Sequence, residues 1–403
     1  MGHSHKSSTN IIIAVLTAFI FLNFTIYLPN EGFFPFPAYL LDISIFLFLL
    51  GYYIKKRLLL PFENIFFIWV VYFLSLNIIY YLASPGGTAE IALLKVIIFL
   101  TFVYIYVILL FALDNRNLTI MRTTLVVIAP IITLTLGIDY FNPGYFASDP
   151  SYIIVQGRAA SFYRNANYAG SSIIIILVLG MDMVPKKSRL LFLLVIFLGL
   201  FFTMSRSNLI TFFIIIFIMF FQKKLYAKQL LLSMTFIVIF FIWVSTSGLD
   251  TISQKYDLEI TENMKSRVNF FADNATSNTS DMDERKDILH AALEIFQDNP
   301  IFGAGLGATL FWEHRVGPHN TFAMVAADQG LFGLLLIVLL FFFSTYYVFK
   351  YGDTEQKQLA ILFLIAYTLS CFFSHDRLSQ TTAIVFMIAI STIGYKMKLI
   401  SKE

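Results

Sequence analysis

Apolar residues in this chain come in long runs, with most charged positions in the gaps between them. The runs fall at roughly 11–28, 37–54, 62–82, 91–112, 118–138, 168–184, 189–204, 208–222, 229–246, 321–349, 357–374 and 380–396. Runs of this kind predict membrane helices. A spanning helix needs about 20 apolar residues, and in lipid the backbone must satisfy its own hydrogen bonds. Two of the runs, on either side of Met204-Ser205-Arg206-Ser207-Asn208, are shorter, so the hairpin tip between them is expected to be recessed toward the hydrocarbon. The pattern divides the chain into helices one to five (1–138), a loop (139–167), helices six to nine (168–246), a large loop containing one amphipathic helix (247–320), and the last three helices (321–403). No internal repeat is evident.

Composition agrees: 58% of the residues are hydrophobic, 13% are charged and 45 are Phe, whereas a soluble domain is about a quarter charged. The expected fold is an all-α polytopic membrane protein of about 12 helices. The net charge of +3 says little, but its distribution is asymmetric. Seventeen Lys and Arg lie on short segments of one side, namely Lys6, Lys55 to Arg57, Arg116, Arg122, Lys186, Lys187, Arg189, Lys223, Lys224, Lys228, Lys350, Lys357, Lys396, Lys398 and Lys402. The short connections of the other side hold only Arg206 and Arg377. The positive-inside rule then places both termini in the cytoplasm and the loops 139–167 and 247–320 outside, since long loops cross regardless of charge. The run at 11–28 lacks an A-x-A-like site after it and reads as a retained helix. His3 and His5, on the inner side, read as a disordered tail. The lone Cys371 excludes a disulfide framework and a Cys-based metal site.

The outer loops concentrate the chemistry. Arg285 opens a predicted helix over 283–298, ended by Asn299-Pro300. Ile288, Leu289, Ala292 and Phe296 share its face, and Lys286, His290, Glu294 and Gln297 form the opposite stripe. Arg285 thus sits at the edge of the buried face, either as a snorkelling stem or as an anion ligand. Arg206, in the recessed turn, carries a charge that costs about 2.5–3.5 kcal/mol at membrane depth. It is either snorkelling or functional. Gly157-Arg158 and Arg164-Asn165-Ala166-Asn167 add two more arginines, which neutralise lipid head groups or bind substrate. Arginine forks bind phosphate by bidentate, charge-assisted hydrogen bonds, so a diphosphate is the natural ligand of such a set. His319, after Gly317-Pro318, is the candidate general base, since histidine as a residue type is suited to that work near physiological pH. Asn320 beside it would orient a sugar or the ring, His314 is the alternative base, and His375-Asp376 could join the site. Gly303-Ala304-Gly305-Leu306-Gly307 lacks nucleotide-loop spacing and reads as a flexible loop entering the site. Asp281, Asp283 and Glu284 are explained by the dipole of the helix they open, so no metal site is expected.

His319-Asn320, nine residues, then Gly330-Leu331-Phe332-Gly333 resembles the signature of the O-antigen ligase and polymerase superfamily of bacterial inner-membrane glycosyltransferases. The Ser205-Arg206-Ser207 turn, the Arg285 helix running to Asn299-Pro300 and the Gly-rich stretch after it are similar to that family as well. The resemblance covers about 150–345 by motif and does not separate ligases from polymerases. It implies a GT-C-type fold with a large periplasmic loop between helices 9 and 10, and an inverting, metal-independent transfer that needs no cofactor. The donor would be a glycan on undecaprenyl diphosphate, held by Arg206 and Arg285. The acceptor would be a glycolipid or glycan hydroxyl, with His319 as its base, and Arg158 and Arg164 would contact donor or acceptor. Ligation of O-antigen to lipid A-core and polymerisation of repeat units both fit. Asp328-Gln329, just before the glycine pair, has no assigned role. A lipid-linked sugar transporter is the contrasting reading, but Asp42, Glu63 and Lys95 lie nearer span ends than centres and no repeat is visible. The expected partners are these lipid-linked and glycan substrates and the bilayer, with no nucleic acid.

Overall fold

The computed structural model describes residues 2–33, 37–56, 64–83, 88–112, 116–147, 157–244, 246, 279–310, 312–314, 317–374 and 377–401. Among them the regular structure is helical. In chain order the helices are α1 (Gly2–Phe21), α2 (Phe24–Asn30), α3 (Ala38–Lys56), α4 (Phe66–Ala83), α5 (Thr88–Ala112), α6 (Asn117–Phe141), α7 (Ala166–Gly180), α8 (Arg189–Thr203), α9 (Arg206–Phe221), α10 (Ala227–Trp243), α11 (Thr279–Asp298), α12 (Thr321–Tyr351), α13 (Thr354–Phe372) and α14 (Thr381–Ile400). A helix occupies every apolar run of the sequence. By length and composition, five of the described helices can cross a membrane, or six if α1 and α2 form one span bent by 63°. Helices α8, α9 and α10, of 15, 16 and 17 residues, fall short of the usual length of about 20.

Three expectations change at the level of single elements. Helix α1 begins at Gly2, so His3 and His5 lie in its first turn rather than in a disordered tail. The helix that carries Arg285 begins at Thr279, four residues before the expected start. The long run at 321–349 is a helix with a break, because Gly330 adopts φ 60°, ψ −146°. His375, Asp376, 148–156 and 247–278 lie outside the described residues, as do the side chains of Asp281, Asp283 and Glu284.

The chain forms two compact units: Met1–Ile13, Phe36–Ile120 and Asp283–Glu403 in the first, Ala14–Pro35 and Met121–Met282 in the second. In the first, α4, α5, α12 and α14 meet around Trp69, Phe73 and Tyr104, with the Trp69 and Phe73 rings stacked at 5.4 Å. Polar tips of these aromatics find backbone acceptors, as they must when buried. The Trp69 indole donates to the Leu336 carbonyl at 2.8 Å and the Tyr104 hydroxyl to the Leu378 carbonyl at 2.8 Å. Helices α12 and α14 touch backbone to backbone at Gly394, where a Cβ would stand 2.5 Å from the Val348 nitrogen. Small residues at such crossings let membrane helices approach closely when lipid leaves no hydrophobic drive between them.

In the second unit, α7 is apolar all round and buried from Ala169 to Gly180, as a central helix should be. Phe201 of α8 packs edge-to-face on Phe240 of α10 at 4.7 Å. At one end a charged knot closes the unit: Arg122 and Lys224 share the Asp182 carboxylate at 3.0 and 2.6 Å. Breaking such a knot from one side leaves a buried charge without its counter-ion, which is why its members come as a set.

Candidate active site

In the second unit, three segments meet around a polar network: the loop before α7, the first turn of α7, and the turn between α8 and α9. Asn165 caps α7 by accepting from the Asn167 amide at 2.8 Å, the expected use of Asn before an apolar run. Asn167 then turns its own side chain outward. Its Oδ1 accepts from Arg158 Nη2 at 2.7 Å and from Ser205 Oγ at 3.0 Å. Asn208 donates to the Asn167 carbonyl at 3.1 Å and to Ser205 Oγ at 2.9 Å. Room for Asn208 comes from Gly170, where a Cβ would lie 2.4 Å from its Nδ2.

Ser205 is the N-cap residue of α9 yet makes no side-chain cap to the helix backbone; its hydroxyl donates to Asn167 and accepts from the Asn208 side chain. Arg206 is therefore the first residue of a helix whose N-cap side chain does not cap the backbone. An uncapped N-terminus carries partial positive charge and orphan N–H groups, and it favours anions. Arg158 Nε also reaches the Thr203 carbonyl at 3.5 Å, fixing one guanidinium beside the same turn.

Arg164 is placed differently. It pairs with Glu31 at 2.9 Å, and the Glu31 side chain is only 2% exposed. The 157–164 loop is held further by Asp139, whose Oδ2 accepts from the Ala160 and Ser161 amides, both at 2.8 Å. Arg164 thus neutralises a buried carboxylate and anchors the loop that presents Arg158.

In the first unit, α11 packs on the start of α12. Ala292 meets Ala323 and Ala327, with Leu289, Ile295 and Trp312 against them. This is the face expected from the sequence, apart from Ile295 in place of Phe296. Beyond Asp298 the chain passes Pro300, whose carbonyl accepts from the Leu331 amide at 2.9 Å. The C-terminal end of α11 is therefore beside Leu331, and its middle is beside 323–327. The two helices run parallel. Arg285, seven residues before Ala292, and His319, four before Ala323, consequently lie at the same end of the pair. Arg285 is exposed there and His319 half-buried. His314 stands edge-to-face on Trp312 at 4.8 Å.

His319 sits in the left-handed region at φ 50°, which only a few per cent of non-glycine residues adopt. Asn320 is the N-cap of α12, and its side chain accepts from the Ala323 amide at 3.1 Å. That cap gives Asn320 a local task beside the expected substrate contact.

The glycine-rich segment is clamped rather than loose. The break at Gly330 releases backbone groups of α12, and the segment takes them up. Ala304 and Gly305 amides donate to the Ala327 and Asp328 carbonyls at 2.8 and 3.0 Å. Gly303, Gly305 and Gly307 all have positive φ, at 68°, 111° and 80°. The approach leaves no room for side chains: a Cβ on Gly330 would be 2.4 Å from the Ile301 oxygen. Gly330→Ala is expected to destabilise the protein by roughly 1–3 kcal/mol from backbone strain alone, with the clash in addition. Thermal unfolding in detergent checks this. Gly51→Ala, with nothing within 4 Å of the new Cβ, should leave the unfolding temperature unchanged or raise it.

Asn167, Ser205, Asn208 and Asp328 are the polar residues that sequence reasoning did not assign. The signal for Asn167 was its place at a helix start, and for Asp328 its charge inside an apolar run. Residues 190–338 match the family model described as O-antigen ligase. That segment contains Arg206, Arg285, His314, His319 and Asn320, and leaves out Arg158 and Arg164. None of the curated proteins compared matches the chain.

Proposed function

We propose that this protein, placed by its 190–338 match in the O-antigen ligase and polymerase superfamily, moves a glycan from undecaprenyl diphosphate to a sugar hydroxyl of lipid A-core. The reaction takes place at the periplasmic face of the bacterial inner membrane, in a twelve-span, GT-C-type frame. The observation that carries the reading is the parallel packing of α11 on α12, which presents Arg285 and His319 at one end of a single unit.

His319 removes the proton from the acceptor hydroxyl. The hydroxyl oxygen attacks the anomeric carbon, the bond from that carbon to the diphosphate oxygen breaks, and undecaprenyl diphosphate leaves with the electron pair. The configuration at the carbon inverts. Arg285 and Arg206 stabilise the charge that grows on the leaving group, as hydrogen-bond donors aimed at developing charge do. The start of α9, left without a side-chain cap, supports this role for Arg206, because a helix N-terminus is suited to phosphate. Arg158 is a second donor contact, held ready by Asn167. His314 and Asn320 border the acceptor.

A glycolipid gel from a strain lacking this gene, complemented with the wild-type protein, tests the reading. Bare lipid A-core in the deletion, with long polymer retained on the carrier lipid and full-length product restored on complementation, is the expected outcome. Core bearing a single repeat would assign the protein to polymerisation of the same donor. An unchanged gel would overturn both readings.

A further inference from the structure

We infer that Asp328 is a positioning residue that sets the place of His319 relative to Arg285; the inference rests on the base role proposed for His319. Its carboxylate is buried and collects three donors from the loop after α11. These are the Gly307 amide at 3.1 Å, the Thr309 amide at 2.9 Å and the Thr309 hydroxyl at 2.9 Å. With the Gly305 amide on its carbonyl at 3.0 Å, Asp328 holds the loop from both its side chain and its backbone. Three donors on one buried carboxylate are a demanding arrangement. A group that size without them would face the full desolvation penalty of a buried polar residue.

The consequence follows from the helix break. Gly330 divides α12 into a short first part, 321–329, and a long second part, 331–351, of 21 residues. The second part is about 31 Å long at 1.5 Å per residue, enough to span a hydrocarbon core by itself. The first part is then a separate two-turn rod, with His319 and its cap Asn320 at one end and Asp328 and Gln329 at the other. Each end is tied down independently. At the His319 end, Thr321 donates to the Ser374 carbonyl. At the far end, Gln329 donates to Asn77 Oδ1 at 3.0 Å and accepts from the Tyr80 hydroxyl at 2.9 Å. Those ties fix the rod to its own bundle. Asp328 alone of these side chains fixes it to the loop that continues α11, the helix of Arg285. An error at this joint rotates or slides the rod and moves the imidazole relative to the guanidinium. Misplacing a reacting group by 1 Å costs about a hundredfold in rate.

The test uses the full-length protein in lipid nanodiscs for amide hydrogen exchange, and the glycolipid gel in cells for product. Asp328→Ala should raise exchange at 304–309 at least about tenfold while α11 and 323–327 stay protected, since local opening is separable from global unfolding. Product should fall by about a hundredfold at equal protein level. Asp328→Asn keeps an acceptor for Thr309 but turns an amide toward the Gly307 N–H, and Thr309→Val removes one donor only. Both should lie between wild type and Asp328→Ala in loop exchange and in product, a graded order that a purely structural residue would not produce. Unchanged loop exchange in Asp328→Ala, or loosened exchange with wild-type product, would overturn the inference. If Asp328→Ala fails to accumulate, Thr309→Val decides, and wild-type behaviour of that variant in both measurements would overturn it as well. His319→Ala runs alongside. If it loses product while Asp328→Ala does not, only the positioning role fails; if it retains product, the base assignment fails first.

Discussion

His319→Ala is expected to lose glycan transfer by about 10²–10⁴-fold, the contribution of a general base in the transition state. The change removes a half-buried ring at the edge of the bundle and relieves a left-handed residue only slightly, since alanine is no better suited to φ 50°. Stability should therefore stay within about 0.5 kcal/mol, the usual range for substitutions away from the core. The measurement is single-turnover transfer from a lipid-linked donor in proteoliposomes, with thermal unfolding beside it. Near-wild-type turnover would remove His319 from the chemistry. His319→Gln sharpens the test, because glutamine keeps hydrogen-bonding capacity without a titratable nitrogen. A group that only positions the acceptor would be partly restored by it, whereas a base would not.

Arg206→Ala and Arg285→Ala are each expected to lower turnover by about 10²–10³-fold, the effect of removing one preorganised donor from a developing anion. Lysine should not restore either, because a point charge on a flexible stem does not reproduce a planar fork on a diphosphate. If the guanidinium contacts strengthen as the leaving group gains charge, turnover falls more than donor affinity does. Arg206 should show this more sharply than Arg285, since it is half-buried at the mouth of a helix dipole while Arg285 is exposed, where solvent screens its charge. Arg164→Ala provides the contrast. Its partner Glu31 is buried, so that variant should lose stability and leave donor turnover little changed once folded. Unchanged donor affinity and turnover in both the Arg206 and Arg285 variants would end the diphosphate assignment.

Much of the fold is legible in the order of residues alone. The apolar runs are long, and each forms a helix within a few residues of its expected bounds except the first, 11–28, which starts at Gly2 and is split into α1 and α2 by a 63° bend. The face of α11 is readable because a period of 3.6 residues places Ile288, Leu289 and Ala292 together, and Ala292 is indeed fully buried. The shortness of α8 and α9 is readable too, and with it the odd position of Arg206. The clamp at Asp328 is not. A glycine-rich stretch looks loose in sequence because glycine permits many conformations. Here its positive φ angles serve one conformation, selected by carbonyls that a break 25 residues further on sets free. Asn320 shows the same limit: the residue beside a candidate base is legible as polar, but its cap on Ala323 requires knowing where α12 begins.

The sequence by itself determined that the chain is helical, that its apolar helices belong in a membrane, and that arginines and a histidine gather in the polar connections. Hydrophobicity and charge are properties of residues taken in order, and the bilayer reads them in order. Only the tertiary structure decided which polar residues serve one another. It joined Ser205 to Asn167, paired Arg164 with Glu31, broke α12 at Gly330, and put Arg285 and His319 at the same end of the α11–α12 pair. Each of these depends on a hydrogen bond or a close approach between segments far apart in the chain. No local pattern encodes such partners, since a donor takes whichever acceptor the packing leaves within about 3 Å.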